Sequence, residues 1–305
     1  MKIANITNRK SSKGSGGILE AKTNGEKILH GIVFCIFLFH SLTLIFPVLW
    51  MAMSSFKGAL EYMSDIGQNA FDLPNTWKFD NYPKAFKVLK IRGTDFFGMT
   101  FNSIWYTIIS TGLSIIMPAI TGYIMAKYKF PGRTVIFNIA IISMVIPIVG
   151  SAASRLRILS FFGLLDSPLY TVINSLGGFG GTFLVYYGFF KALSWSYAEA
   201  VMIDGGGHYT VFFRIMLPQA APILLTYAII NAIGFWNEYE SIILYLPSYP
   251  TLAAGLFEYQ GNAIREANYP IYFAGLIIST IPTLLLFSVF SNRIMTSISV
   301  GGLKG

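Results

Sequence analysis

Cysteine is almost absent: the 305 residues contain only Cys35, so no intrachain disulfide can form. Charge is scarce too. Only 12% of residues are charged, against 54% hydrophobic, whereas soluble domains carry roughly a quarter. Three histidines without ligand spacing exclude a recognisable metal centre, and His30 and His40 stand in an apolar run without a matching partner. No G-x-x-x-x-G-K-[ST] occurs, so the chain has no phosphate-binding loop of that kind. The excess of 22 Lys and Arg over 14 acids comes without any basic, aromatic nucleic-acid module. Metal, P-loop and nucleic-acid chemistry are thereby set aside, and Cys35 is expected to be a small buried hydrophobe.

What the sequence has in abundance is apolar length. Mean hydropathy is +0.58, and stretches near the 20 residues that cross a bilayer can be drawn at 29–53, 100–126, 134–152, 168–190, 219–243 and 269–291. An all-α integral membrane protein of about six transmembrane helices follows. Residues 1–28 read as a flexible polar tail. Residues 29–305 read as one transmembrane domain with an external loop at about 54–99. The first run lacks a small-residue cleavage site and reads as a retained span.

Taken together, the tail, the 127–133 loop, the 191–218 loop and the C-terminal end hold 13 Lys and Arg against 4 acids, so the positive-inside rule puts both termini on the cytoplasmic side of a plasma membrane. The net positive charge then reflects contact with anionic lipid. Pro47, Pro118, Pro147, Pro222, Pro270 and Pro282 fall within or at the start of spans, where interior proline kinks a helix. Gly177 and Gly181 have the small-xxx-small spacing of close helix packing.

The most distinctive stretch is E-A-V-M-I-D-G-G-G-H-Y-T-V-F-F-R-I-M-L-P, Glu199 to Pro218. Ser196 and Glu199 have capping-box spacing, which predicts a helix from about Tyr197. Gly205 is placed to end it. Val211, Phe212, Ile215 and Met216 then recur at helical spacing until Pro218. A polar hairpin at about 194–218, set between two apolar segments, is expected.

That hairpin resembles the EAA loop of ABC-importer permeases at Glu199, Ala200, Asp204, Gly205, Phe212, Ile215, Leu217 and Pro218. It departs from the family pattern at Val201 and Gly206, where the family carries alanine, and at Ser194, where proline is frequent. Further matches are specific to the carbohydrate-type, maltose-like second permease. They are Leu73, Pro74, Trp77, Phe79, Asn81, Tyr82 and Phe86 in the external loop, Trp236-Asn237-Glu238 and the G-G-L-K-G terminus, while the wider family resemblance extends to Phe101-Asn102-Ser103, Tyr123 and the run around Leu252. The resemblance implies the type I importer permease architecture with cytoplasmic coupling helices. It also implies a non-catalytic subunit that works with a homologous second permease, two ATPase subunits that bind ATP-Mg, and an extracytoplasmic solute-binding protein. The Glu199–Pro218 segment, with Phe213 and Met216 adding apolar contact, would couple to the ATPase. Gly301, Gly302, Lys304 and Gly305 would reach the ATPase interface.

Sugar recognition needs hydrogen-bonding groups beside flat apolar surfaces. Asn102, Trp105, Tyr106, Asn174, Asn231, Trp236, Asn237 and Glu238 combine the two within spans and are the candidate solute pathway, with interhelical hydrogen bonding as the competing role. The EAA loop is shared across importer classes, so a peptide, polyamine or modified-sugar permease stays open. A secondary carrier would need inverted repeats and a charged midplane site, neither of which is visible, and a sensor that moves no solute is the remaining alternative.

Overall fold

The computed structural model describes residues 24–67, 69–146, 150–265 and 268–300. The described residues form helices and connecting loops, with one isolated bridge between Ile91 and Thr94. They fall into two units, one ending at Met51 and one beginning at Ala52. The first unit consists of most of α1, Asn24–Ser54, a helix apolar all round that starts several residues earlier than the span drawn at 29. Cys35 is exposed on it, not buried: a helix of uniform hydrophobicity has no inward stripe to select it.

The second unit opens with a tightly built loop region. Phe56 packs with Trp77, Phe79 and Tyr82 at centroid distances of 5.1 to 5.4 Å. The Asn81 amide donates to the Ser55 and Lys57 carbonyls at 2.8 and 2.9 Å. Lys57, 1% exposed, is paired with Asp65 at 2.7 Å. Two short helices, α2 (Ala59–Asp65) and α3 (Asn81–Val88), hang from this cluster. The Tyr82 hydroxyl is engaged by Ser55 Oγ at 3.0 Å, so Tyr82 anchors the loop internally while Trp77 remains half exposed. The Lys84 ammonium hydrogen-bonds Asp80 and holds its carboxyl below the usual range.

The long helix α4, Phe96–Lys127, is capped by the Asp95 carboxylate, which accepts from Gly98 N. Its two faces differ. Phe97, Phe101, Ile104 and Ile108 are exposed and apolar, as a lipid-facing stripe requires. Met99, Ser103, Tyr106, Thr107 and Ser110 are buried. The helices α5 (Arg133–Val145), α6 (Ala152–Phe161), α7 (Leu169–Ser175) and α8 (Gly181–Ala192) follow. Then come α9 (Ser196–Ile203), α10 (His208–Gln219), α11 (Ala221–Trp236), α12 (Glu240–Tyr245), α13 (Leu252–Arg265) and α14 (Tyr269–Val300).

Among the described residues, α1, α4 and α14 are each long and apolar enough to cross a membrane, and α10 with α11 passes the same test only as a pair, bent by 71° at the break between them. The stretches drawn at 134–152 and 168–190 are shorter or broken: α5 stops at Val145, and α7 and α8 are separated by Leu176–Gly180. Hydropathy sees only composition, so it joins what the glycines at 177, 178, 180 and 181 part. Pro147 lies outside the described residues, as do the tail before Asn24 and the terminal Gly301, Gly302, Lys304 and Gly305.

Close packing falls on other glycines than the spacing rule selects. A Cβ on Gly177 or Gly181 would meet nothing within 4 Å. On Gly122 of α4 it would stand 3.0 Å from Tyr187 N and 3.1 Å from Tyr186 Cβ, so α8 can press its backbone against α4 only because position 122 has no side chain. Gly122→Val is expected to overpack this contact and cost about 1–3 kcal/mol, lowering the unfolding temperature in detergent. Gly188→Ala, at a site with open space, should leave that temperature unchanged; equal effects of the two would contradict the assigned contact.

Candidate functional site: a helical hairpin and a polar cleft

The hairpin forms as its sequence requires, with corrections at its start, its second turn and its end. Helix α9 begins at Ser196, not Tyr197. Its start is held by Ser194, whose Oγ accepts from Ser196 N at 3.2 Å and contacts Ser196 Oγ at 2.7 Å. The Ser196–Glu199 capping box is therefore not formed, and the Glu199 side chain is left exposed. At the other end Gly205 takes φ +81°. Gly205 N donates to Met202 O at 3.1 Å and Gly206 N to Val201 O at 2.8 Å, the paired bonds of a Schellman turn. Asp204 closes the helix as its C-cap.

The departures from the alanine pattern at 201 and 206 compensate one another. A Cβ on Gly206 would lie 2.5 Å from Val201 Cγ1 and 2.9 Å from Val201 O. The larger residue at 201 occupies the space that a methyl group at 206 would need.

Helix α10 contains a π-helical turn over Val211–Met216, a local widening that strict 3.6-residue spacing cannot anticipate. It runs through Pro218 to Gln219 before the 71° bend into α11. Pro218 therefore does not stop it. Val211, Phe212 and Met216 are buried with Ala198 and Ala220 against Ala119, Tyr123, Tyr186 and Phe190. Tyr123 and Phe212 rings are 4.8 Å apart. Each such side chain contributes roughly 1.5–3 kcal/mol of burial, so the hairpin is fixed to α4 and α8. Ile215 and Leu217 are half-buried beside them.

The opposite face is open. Ile203 is 85% exposed, Tyr209 84% and Phe213 56%, with Glu199, Ala200, Asp204, Gly205 and Pro218 also exposed. This surface joins large apolar groups to two carboxylates.

Sequence reasoning passed over the residues that brace the hairpin from α4. The Tyr128 hydroxyl contacts Tyr123 at 3.3 Å and His208 Nδ1 at 2.9 Å, and its ring meets Trp195 at 6.0 Å. Lys127 donates to the Leu193 carbonyl. Both arms are thus tied to the end of one long helix. The signal was present as aromatic residues flanking Lys127 at the end of a span, but nothing in that pattern names a partner 80 residues away.

The eight candidate solute residues do not gather at one place. The Asn102 amide donates to Pro250 O at 3.0 Å and its carbonyl accepts from Trp105 Nε1 at 3.1 Å, which holds the loop before α13. Tyr106 is buried, 6.1 Å from Phe235. Trp236 donates to Ser279 O on α14 at 3.0 Å. Asn237 donates back to Ile233 O at 2.8 Å, and Glu238 accepts from Ser241 N at 2.8 Å at the start of α12. Tyr106 and Trp236 thus connect helices, Asn102 holds a loop, and Asn237 and Glu238 bond locally. Asn174 and Asn231 do converge, on a cleft of about 290 Å³. Ser114, Ser175, Phe183 and Phe235 line it with them, as do glycines of the α7–α8 break. The break is held to α4 by a Thr121 Oγ1 bond to Gly178 O. Non-helical backbone within a membrane is tolerated where it lines such a cavity.

A bent-helix bundle carrying a braced hairpin with an open tip is the architecture of a membrane transport subunit. Residues 118–299 match the family described as binding-protein-dependent transport system inner membrane component, and the chain belongs to it. Among relatives, the diacetylchitobiose uptake system permease protein NgcG of Streptomyces coelicolor is 29% identical over 93% of this chain and 92% of its own. The arabinooligosaccharides transport system permease protein AraQ of Halalkalibacterium halodurans is 28% identical over 93% of this chain and 100% of its own. A chain from a bacterial ABC transporter involved in the import of the acidic polysaccharide alginate shares the fold, with a TM-score of 0.69 at 22% identity, over 89% of this chain and 98% of that one. The protein is a multi-pass membrane component.

Gly206→Ala is expected to destabilise the hairpin by about 1–2 kcal/mol, and Val201→Ala in the same chain to recover at least half of that loss. A double-mutant cycle of thermal unfolding in detergent measures the coupling; strictly additive effects would show that the two positions do not share their space.

Proposed function

We propose that this chain is a permease subunit of an ATP-driven ABC importer that, with a homologous second permease, forms the membrane pathway for a sugar or oligosaccharide delivered by a solute-binding protein. The observation that carries the proposal is the hairpin, buried on one side and open on the other. Its open face, Glu199, Ala200, Ile203, Asp204, Tyr209 and Phe213, docks into a cleft of one of two ATPase subunits, where apolar contact supplies affinity and the carboxylates face basic residues. ATP-Mg is bound and hydrolysed by those partners, and this chain contributes no catalytic group. Both termini and the hairpin are cytoplasmic, in accord with the Lys and Arg distribution. The loop region around Trp77 and Phe79 faces the binding protein, and the terminal Gly301, Gly302, Lys304 and Gly305 approach the ATPase interface.

Movement follows from rigidity. When the ATPases close, the hairpin is displaced as a lever, because Phe212 and Met216 cannot shift without opening the core they share with Tyr123 and Tyr186. The displacement passes directly to α4 and α8, and through the bend at Ala220 to α11. Residues of all three line the polar cleft, so its shape changes with the state of the ATPase. The carbohydrate assignment draws on the relatives' named solutes and on the pairing of amides and hydroxyls with Phe183 and Phe235 in that cleft.

Glu199→Lys should reduce saturable saccharide uptake by the complete importer at least tenfold and abolish binding-protein-stimulated ATP hydrolysis, while membrane insertion and the unfolding temperature stay at wild-type values. Unchanged uptake in that variant would contradict the coupling role.

A further inference from the structure

We propose, building on the carbohydrate reading above, that the cleft at the α7–α8 break receives an acidic saccharide, and that Arg155 of α6 is the residue that selects its carboxylate. Arg155 is exposed, yet it is not a loose surface side chain. Its Nη1 donates to Asn174 Oδ1 at 3.3 Å, and its guanidinium lies over the Tyr245 ring at 5.9 Å, a ring itself packed on Tyr170 at 5.2 Å. Asn174 is one of the residues lining the cleft, so the cation is held against a cleft-lining side chain.

Among the described residues no carboxylate lies within ion-pair distance of Arg155; the ion pairs present are Lys57–Asp65, Lys84–Asp80 and Arg92–Glu258. A guanidinium has five N–H donors in a planar fork. The Asn174 carbonyl engages one, and the fork geometry of the remainder matches a carboxylate.

A second observation points to a ligand independently. Ser175 is another lining residue of the cleft, 5% exposed, and its buried Oγ has no hydrogen-bond partner among the described residues. A buried hydroxyl left unpaired is costly, and a saccharide hydroxyl entering the cleft would satisfy it. The aromatic rings of Phe183 and Phe235 supply the apolar surface for a pyranose face. The hydroxyls and amides serve any sugar. The fixed cation is the element a neutral sugar does not need, and it disfavours a polyamine by like-charge repulsion.

The test uses the full importer, with its partner permease, ATPases and binding protein, in proteoliposomes, and compares uptake of neutral and uronic-acid-containing oligosaccharides of equal length. Wild type is expected to take up the acidic series, with acidic oligosaccharides displacing neutral ones in competition. Arg155→Gln, which keeps an amide donor toward Asn174 but no charge, should raise KM for the acidic substrate at least tenfold with kcat within about twofold, and lower the acidic-to-neutral ratio of kcat/KM correspondingly. Arg155→Lys, keeping charge without the fork, should fall between. Uptake of neutral oligosaccharides alone by wild type, or equal losses for both series in Arg155→Gln, overturns the acidic assignment and leaves the carbohydrate reading intact. Failure to transport any saccharide, with ATP hydrolysis stimulated by another solute, overturns both.

Discussion

The burial of Phe212 and Met216 against Tyr123, Tyr186 and Phe190 is the contact on which the remaining structure depends. Without it the Glu199–Pro218 segment would be a polar loop whose movement dissipates in its own hinges. With it, a displacement at the tip must be shared by α4 and α8, because a close-packed core transmits strain instead of absorbing it. The bracing of both arms by Lys127 and Tyr128 serves the same end, as does the turn at Gly205, which reverses the chain without a flexible linker.

A second constraint shapes the opposite end of the mechanism. Backbone groups inside a bilayer must be satisfied or must line a cavity, and the break between α7 and α8 does the latter. Its glycines keep side chains out of the space that Asn174, Ser175 and Asn231 border, and the Thr121 hydroxyl ties its Gly178 carbonyl to α4. The discontinuity that shortens the fourth apolar stretch therefore also creates the polar cleft. Cleft and hairpin share α4, α8 and α11 as common walls, which is the route by which the proposed lever would alter the cleft.

Much of this was legible in the residues. Hydropathy marks α1, α4 and α14 because uniform apolar length needs no tertiary information. Asp204-Gly205 announces a helix end because only glycine takes φ +81° without strain. The apolar recurrence of Val211, Phe212 and Met216 marks them as the buried face, although their exact register is set by a π-turn. What escaped detection depends on partners distant in sequence. The Ser196 hydroxyl and amide are engaged by Ser194, one residue outside the Trp195 N-cap, a local contact that competes with the box. The π-turn at Val211–Met216 breaks the period on which helix reading rests. Gly122, not the Gly177–Gly181 pair, admits the backbone of α8 against α4, since spacing cannot say which helix lies opposite. Among the polar candidates, Asn102 bonds to a loop and Trp236 to a neighbouring helix, Trp105 and Glu238 bond to residues three positions away, and only Asn174 and Asn231 reach the cleft. Residue type marks them as costly in a membrane without saying which bond satisfies them. Arg155 and Arg157 stand together between two apolar stretches, and nothing in that pattern distinguishes the one that meets Asn174.

The central claim is that the open tip of the hairpin is the surface on which the ATPase acts. Because Cys35 is the only cysteine, Cys35→Ser gives a background in which Ile203→Cys places a single thiol at the tip. The most direct measurement is the labelling rate of that thiol by a water-soluble maleimide, in the isolated subunit and in the assembled importer. Strong protection on assembly, together with a cross-link to the ATPase whose yield changes with ATP, is the result this account predicts. Equal labelling in both forms, with no cross-link in any nucleotide state, would contradict it.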